Sequence, residues 1–496
     1  MVEHIIYSLN HFYPELAITI TLCVALVADL VLKRESHAIG WIVLGGLVIT
    51  GILVIFQVGW VESIFSDMVA VDPFAVFFKV MLLIASILII LFSMKSRELD
   101  DYIDRIGEYY MLILGMILGM FLMVGATNVL LMFLAFELTS FCSYVLAGFT
   151  RNSPRSAEAS IKYIIYGAVS SGIMIYGISL LVGITGAIDI YGINEALSAG
   201  VEQPMVLLIA IIMILVGLGF KLAIVPFHFW APDVYEGAPI TITAYLAVAS
   251  KIAAFAMTVR FFKVSFIDAG GMDALGVWAI LEGFNWNIIL AIMAALAMVV
   301  GNLVALWQDN IKRLLAYSSI AHAGYIMMGL VVLTNEGISA ILIYVFMYLF
   351  MNMGAFFVAM LVSNKLNTES IDDYKGLGPR APLESVAMTV FMIALTGLPP
   401  TAGFIAKLYV FGAAVSAGWI WLVALAGIMT IVSLFYYMRV VRNMFLFQPE
   451  EKQSEIQFDV GSKAILLVLL VPTLFFGVYF TPVLEFAKMS IQMFGL

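Results

Sequence analysis

Apolar residues fall along this chain in blocks of about 17 to 25, separated by short polar loops, and the pattern repeats from end to end. Runs of that length cross a hydrocarbon layer of about 30 Å as helices. The ten-residue alternating pattern of a membrane barrel is absent. The blocks predict about fourteen spans, centred near residues 24, 49, 84, 116, 138, 171, 214, 250, 296, 323, 350, 400, 430 and 472. The opening stretch MVEHIIYSLNHFYPE has neither a basic start nor a small-residue cleavage site, so the first block reads as a retained helix and not a signal peptide.

Composition agrees: of 496 residues 63% are hydrophobic and 11% charged, far from the quarter charged that is usual in soluble domains. The chain reads as an all-α polytopic membrane protein. Lysine and arginine fix its orientation. One set of alternate loops holds 15 of the 24 basic residues, among them Lys33, Arg34, Arg97, Arg151, Lys312, Arg380 and Lys452, while the opposite loops hold none. That asymmetry predicts a cytoplasmic position for the basic loops and a periplasmic one for both termini. The net charge of -9 adds little, because acidic residues influence topology weakly. Cys23 and Cys142 both lie inside spans, which leaves neither a disulfide framework nor a thiolate cluster for iron and sulfur. No glycine-rich phosphate loop follows a strand-like run. A redox cofactor would have to sit on another chain.

Several charges stand where lipid should be. Lys162, Lys221, Lys251, Lys407 and Glu137 interrupt apolar runs. At about 2.5 to 3.5 kcal/mol each, five unpaired dry charges would oppose insertion by about 12 to 18 kcal/mol. They must pair, be hydrated or lose their charge. Lys79, Arg260, Lys263 and Arg439 lie nearer the ends of their spans and are expected to snorkel to the headgroups.

Two of the lysines sit beside helix breakers: Lys221 before Pro226 in FKLAIVPFHFW, and Lys407 after Pro399 and Pro400 in TGLPPTAGFIAKLYVF. Proline frees a backbone carbonyl, which membrane interiors tolerate only inside protein or beside water. Interrupted spans in matching halves point to an ion site. The halves fall at residues 107-263 and 286-445, five spans each, preceded by an N-terminal three-helix segment (1-106) and followed by a C-terminal loop and last span (446-496). An odd number of spans inverts the second copy. His228 lies seven residues beyond Lys221 and His322 ten beyond Lys312. Imidazole titrates near neutrality and suits a proton relay, whereas neither histidine has metal-ligand spacing.

FKLAIVPFHFWAPDVYEGAP followed by Lys251, FELTSFCSYVLAGF around Glu137, KRLLAYSSIAHAGY and TGLPPTAGFIAKLYVF together resemble the antiporter-like membrane subunits of respiratory complex I, over nearly the whole chain. The resemblance implies a proton-translocating subunit of an NADH:quinone oxidoreductase, bound to homologous neighbours in the membrane arm. Flavin, iron-sulfur clusters and quinone would belong to partner subunits, with no redox centre here. It implies that Glu137 and Lys221 form the carboxylate-lysine pair of the first half, Lys251 the connecting lysine, His228 and His322 relay positions and Lys407 the exit-side lysine. Lys162 matches a further lysine of the pattern. A subunit of a multi-subunit cation/proton antiporter is the alternative, since such proteins share the buried pairs. Five intramembrane charges and two broken spans argue against a passive scaffold, and no polar pocket for an organic solute is legible.

Overall fold

The computed structural model describes residues 2–32, 38–200, 202–272, 277–281, 285–447 and 454–495; the loop positions Lys33, Arg34 and Lys452 lie outside these. Among the described residues, thirteen helices are long and apolar enough to cross a membrane. The span expected near residue 400 is instead two shorter apolar helices, Pro382–Thr396 and Ala402–Ser416. Counted together they restore the fourteen crossings of the sequence pattern.

The other expected break is equally plain. Helix Pro204–Leu222 ends in Ala223, at φ 52°, and the chain turns through residues 223–229 before resuming as Trp230–Gly237. The carbonyls that the break frees are not left bare: the indole of Trp230 donates to Phe220 O at 2.9 Å, and Ile224 N to Gly219 O at 2.9 Å. At the second break Gly397, at φ 86°, ends the first half-helix, and its N–H returns to Ile393 O and Ala394 O. Satisfying the backbone inside the protein is what lets non-helical segments persist at membrane depth.

Burial is distributed unevenly. The helices Ile311–Val331 and Asn335–Leu366 are almost wholly enclosed, as is the span Ile240–Phe266, whereas Tyr13–Val31, Ile420–Leu446 and Val460–Val478 show broad apolar faces outward. A helix apolar all round is a central helix, and one exposing leucine and valine stripes is a lipid-facing or partner-facing one. The enclosed span contains a π-helical stretch, Leu246–Ser250, immediately before Lys251. Such turns open the hydrogen-bond ladder and are frequent at functional positions. Two small hairpins outside the helices, Glu62–Ile64 with Val69–Val71 and Ile267–Met272 with Trp278–Ile280, were not foreseen. Both lie in the loops without basic residues, and runs of three to six residues are too brief to carry a readable alternation.

The snorkelling expectation fails for two residues. Lys79 is 1% exposed and pairs with Glu15 at 2.6 Å, also reaching Gln57 Oε1 at 3.2 Å. Arg260 is fully enclosed and holds Asp72 by two bonds, at 2.7 and 2.8 Å, while its Nε donates to Val124 O. Both cations found carboxylates on the N-terminal helices, so the interior already supplied what the headgroups would have offered. Lys263, 8% exposed, lies over the ring of Trp278 at 4.8 Å.

Candidate functional site

Three buried lysines mark a line of polar groups through the helical interior. Lys221 occupies the last turn of Pro204–Leu222, is 1% exposed, and donates to Ser140 Oγ at 2.8 Å with the ring of Phe136 5.1 Å away. Ser140 stands one turn beyond Glu137 on Val129–Ala147. Lysine thus meets the serine and not the carboxylate, and Glu137 Oε1 is buried with no hydrogen-bond partner. A buried carboxylate oxygen without a donor is costly unless the group moves, gains water or gains a proton.

Lys251 follows the π-helical stretch and crosses to the central helix Ile311–Val331. Its ammonium donates to Ser319 O at 2.8 Å and Ser319 Oγ at 2.7 Å. One turn further along that helix stands His322, whose Nδ1 is 2.8 Å from Tyr344 Oη and whose Nε2 is 3.3 Å from Tyr437 Oη. Tyr437 in turn bonds Ser318. Another turn on is Tyr325, its ring 4.4 Å from the ammonium of Lys407. Positions 319, 322 and 325 share one helix face because three residues nearly complete a turn. One helix therefore carries the middle of the line from Lys251 to Lys407.

Lys407 lies just beyond the second break, in Ala402–Ser416. It donates to Thr396 O at 2.8 Å, the last residue of the preceding half-helix, and to Thr430 Oγ1 at 3.1 Å. A cation at a helix C-terminus is favoured by the helix dipole and by carbonyls that lack intrahelical partners. The break builds a cradle for an ammonium group. Among the described residues none of Lys221, Lys251 and Lys407 forms an ion pair. A hydroxyl holds each of them, joined by a ring at Lys221, a carbonyl at Lys251 and both at Lys407.

The remaining candidates are placed differently. His228 lies in the unwound segment, 7% exposed, and its Nδ1 has no hydrogen-bond partner. No hydrogen bond among the described residues joins it to Lys221 or Lys251. Lys162 is not enclosed: its side chain is 38% exposed and belongs to an ionic cluster with Glu158 at 2.8 Å and Asp233 at 2.7 Å. Arg313 closes the cluster on Asp233 and Glu236. The helix Pro154–Thr185 has 32 residues, more than the about 20 that a span needs, so a position in its third turn need not lie in the apolar layer.

Sequence reading missed Ser140, Ser319, Tyr325, Tyr344, Thr430 and Tyr437. The three-residue spacing of Ser319, His322 and Tyr325 was available in AYSSIAHAGY. Nothing in sequence placed Thr430 and Tyr437 against them. Among the described residues no group of three or more His, Cys, Asp or Glu side chains could hold a metal ion.

Comparison with known proteins gives these residues a context. The family model described as NADH:quinone oxidoreductase/Mrp antiporter, TM matches residues 126–433. "NADH-quinone oxidoreductase subunit N 2" of Chloroherpeton thalassium is 46% identical, over 91% of this chain and 88% of its own. "NADH-quinone oxidoreductase subunit N" of Chlorobium chlorochromatii is 42% identical over 99% of this chain and 96% of its own. Among solved structures, a chain of respiratory complex I from Thermus thermophilus superimposes with a TM-score of 0.79 at 30% identity, covering 96% of this chain and 99% of the other.

Proposed function

Since the chain belongs to the NADH:quinone oxidoreductase/Mrp antiporter transmembrane family, we propose that it is the subunit N type of proton-translocating subunit in the membrane arm of a bacterial complex I. It is a multi-pass membrane protein, and as part of that complex it serves an oxidoreductase without holding a redox centre. The observation that carries this reading is the set of three buried lysines without ion-pair partners among the described residues, two of which, Lys251 and Lys407, meet the same central helix at Ser319 and Tyr325. Flavin, iron-sulfur clusters and quinone belong in this reading to partner subunits, and homologous antiporter-like subunits flank the chain. The membrane is the bacterial inner membrane, with the basic loops cytoplasmic and both termini periplasmic.

Glu137 and Lys221 act as a switch in this reading. With the carboxylate drawn toward the ammonium, the charged pair is favoured; with Glu137 withdrawn, as its unpartnered Oε1 allows, Lys221 surrenders a proton. Water and His228 carry the proton across the first break to Lys251. Ser319 and His322 pass it along the central helix to Lys407, and the second break opens toward the other side. The two breaks sit in the two halves of the chain, residues 107–263 and 286–445, read as inverted five-helix units. Each elementary charge moved against 100 mV costs about 2.3 kcal/mol, so the switch must be driven by redox chemistry elsewhere in the complex.

The test has two steps. Purified gently from its native membrane, the chain should travel with flavin, iron-sulfur absorbance and donor-driven quinone reduction. Recovery with hydrophobic partners alone, together with cation/proton exchange, would replace this reading by the antiporter one. In the assembled complex Lys221→Arg keeps a charge that is not surrendered. Its proton-to-electron ratio should fall as far as that of Lys221→Ala, and a ratio equal to the unaltered protein's would remove the switch.

A further inference from the structure

Beyond the proton line, the outer face of Ile420–Leu446 holds an unexplained cationic groove. It has a volume of about 760 Å³ and is walled by Leu306, Phe435, Met438 and Phe445, with Arg439 and Arg442 on the same wall. The apolar wall faces outward: Phe435 is 68% exposed. That size and lining suit one acyl chain better than a polar solute.

The arginines sit at the level where a headgroup would lie. Arg442 and Arg439 come four and seven residues before the helix end at Leu446, about 6 and 10 Å by the rise of an α-helix. Trp307, next to Leu306 and 82% exposed, lies at the same margin, where aromatic belts form. This is the side of the basic loops. The guanidinium of Arg439 is poorly bonded: Nη1 makes only two long contacts, 3.4 Å to Leu306 O and 3.4 Å to Asp309 Oδ1, while Nε and Nη2 are buried with no partner among the described residues. Asp309 is 90% exposed and offers little compensation. Arg442 lies over the ring of Phe447 at 5.3 Å, and its guanidinium makes no hydrogen bond among the described residues.

We propose that this groove binds an anionic phospholipid, one acyl chain along Phe435 and Met438 and the headgroup phosphate between Arg439 and Arg442. Guanidinium donors match phosphate oxygens two at a time, and Arg439 and Arg442 both line the groove. A zwitterionic lipid fills the same apolar wall but brings its own cation against the arginines. The leaflet bearing basic loops is also the one that concentrates anionic lipid.

The experiment uses the intact complex in nanodiscs and a phosphatidylglycerol with a photoreactive acyl chain, with capture read on peptides covering residues 434–446. Capture should exceed that of the matching phosphatidylcholine about tenfold and fall about tenfold in Arg439→Gln/Arg442→Gln. Phe435→Trp, which fills the groove and keeps both arginines, should lower capture while leaving the complex assembled. Equal capture of the two lipids, or capture unchanged in the arginine variant, would mean that any lipid occupies the groove. Loss of capture on adding inorganic phosphate alone would mean a soluble anion, and either result overturns the proposal.

Discussion

At the scale of single residues, the contrast between two kinds of buried cation is instructive. Arg260 holds Asp72 by two bonds, and Asp72 also accepts from Ala75 N at 2.8 Å and Phe494 N at 3.0 Å. All three guanidinium nitrogens and both carboxylate oxygens are engaged, so the pair is fixed. Among the described residues Lys221, Lys251 and Lys407 instead hydrogen-bond only to neutral groups. The difference predicts separate phenotypes. Arg260→Met strands the Asp72 carboxylate and should destabilise the protein by about 3 to 5 kcal/mol, read as a fall in thermal stability in detergent. Adding Asp72→Leu should recover most of that loss, and failure to do so would deny that the stranded charge is the cause. By contrast, Lys221 substitutions should leave stability near its original level and act on the proton-to-electron ratio. The burial of Lys221, Lys251 and Lys407 was legible from sequence because charge in an apolar run is conspicuous. Which cations were already neutralised was not, since Glu15 lies 64 positions before Lys79 and Asp72 lies 188 before Arg260.

At the scale of elements, the broken helices do what continuous ones cannot. Gly397 ends its half-helix with φ 86°, and a Cβ built there would approach Lys407 Cδ to 2.7 Å. Gly397→Ala therefore adds backbone strain and pushes the ammonium off Thr396 O, although it removes no polar group. Quinone-reductase turnover should drop about tenfold while assembly persists, as measured on membranes and by native electrophoresis. Unchanged turnover would show that the cradle of Lys407 is not needed. Both breaks were readable from proline. Their caps were not: the Trp230 indole reaching Phe220 O depends on how the chain returns after the break. Lys162 shows the same limit, since an apolar run reveals that a helix crosses the membrane but not how far its first turns protrude.

For the whole molecule, the central helix Ile311–Val331 touches both Lys251, through Ser319, and Lys407, through Tyr325, and the proposed function makes it the shared part of one route. If Lys221, Lys251 and Lys407 act in series, their losses cannot add. Lys221→Met/Lys407→Met should lower the proton-to-electron ratio no further than the more severe single variant, in reconstituted vesicles. A double variant that multiplies the single effects would argue for two parallel paths.

The sequence by itself determined the membrane class, the number of crossings, the two breaks and the buried lysines. Each follows from local physics: apolar length against the bilayer, proline against the helix ladder, charge against hydrocarbon. Only the tertiary structure decided which cations are spent in fixed ion pairs, that Lys221 meets Ser140 while Glu137 Oε1 has no partner among the described residues, and that Ser319 on the central helix holds Lys251 while Tyr325 on the same helix faces Lys407. Those are contacts between helices far apart in the chain. Periodicity identifies which face of a helix is apolar, but side-chain partners are set by the way enclosed helices pack together, and that geometry has no local signal.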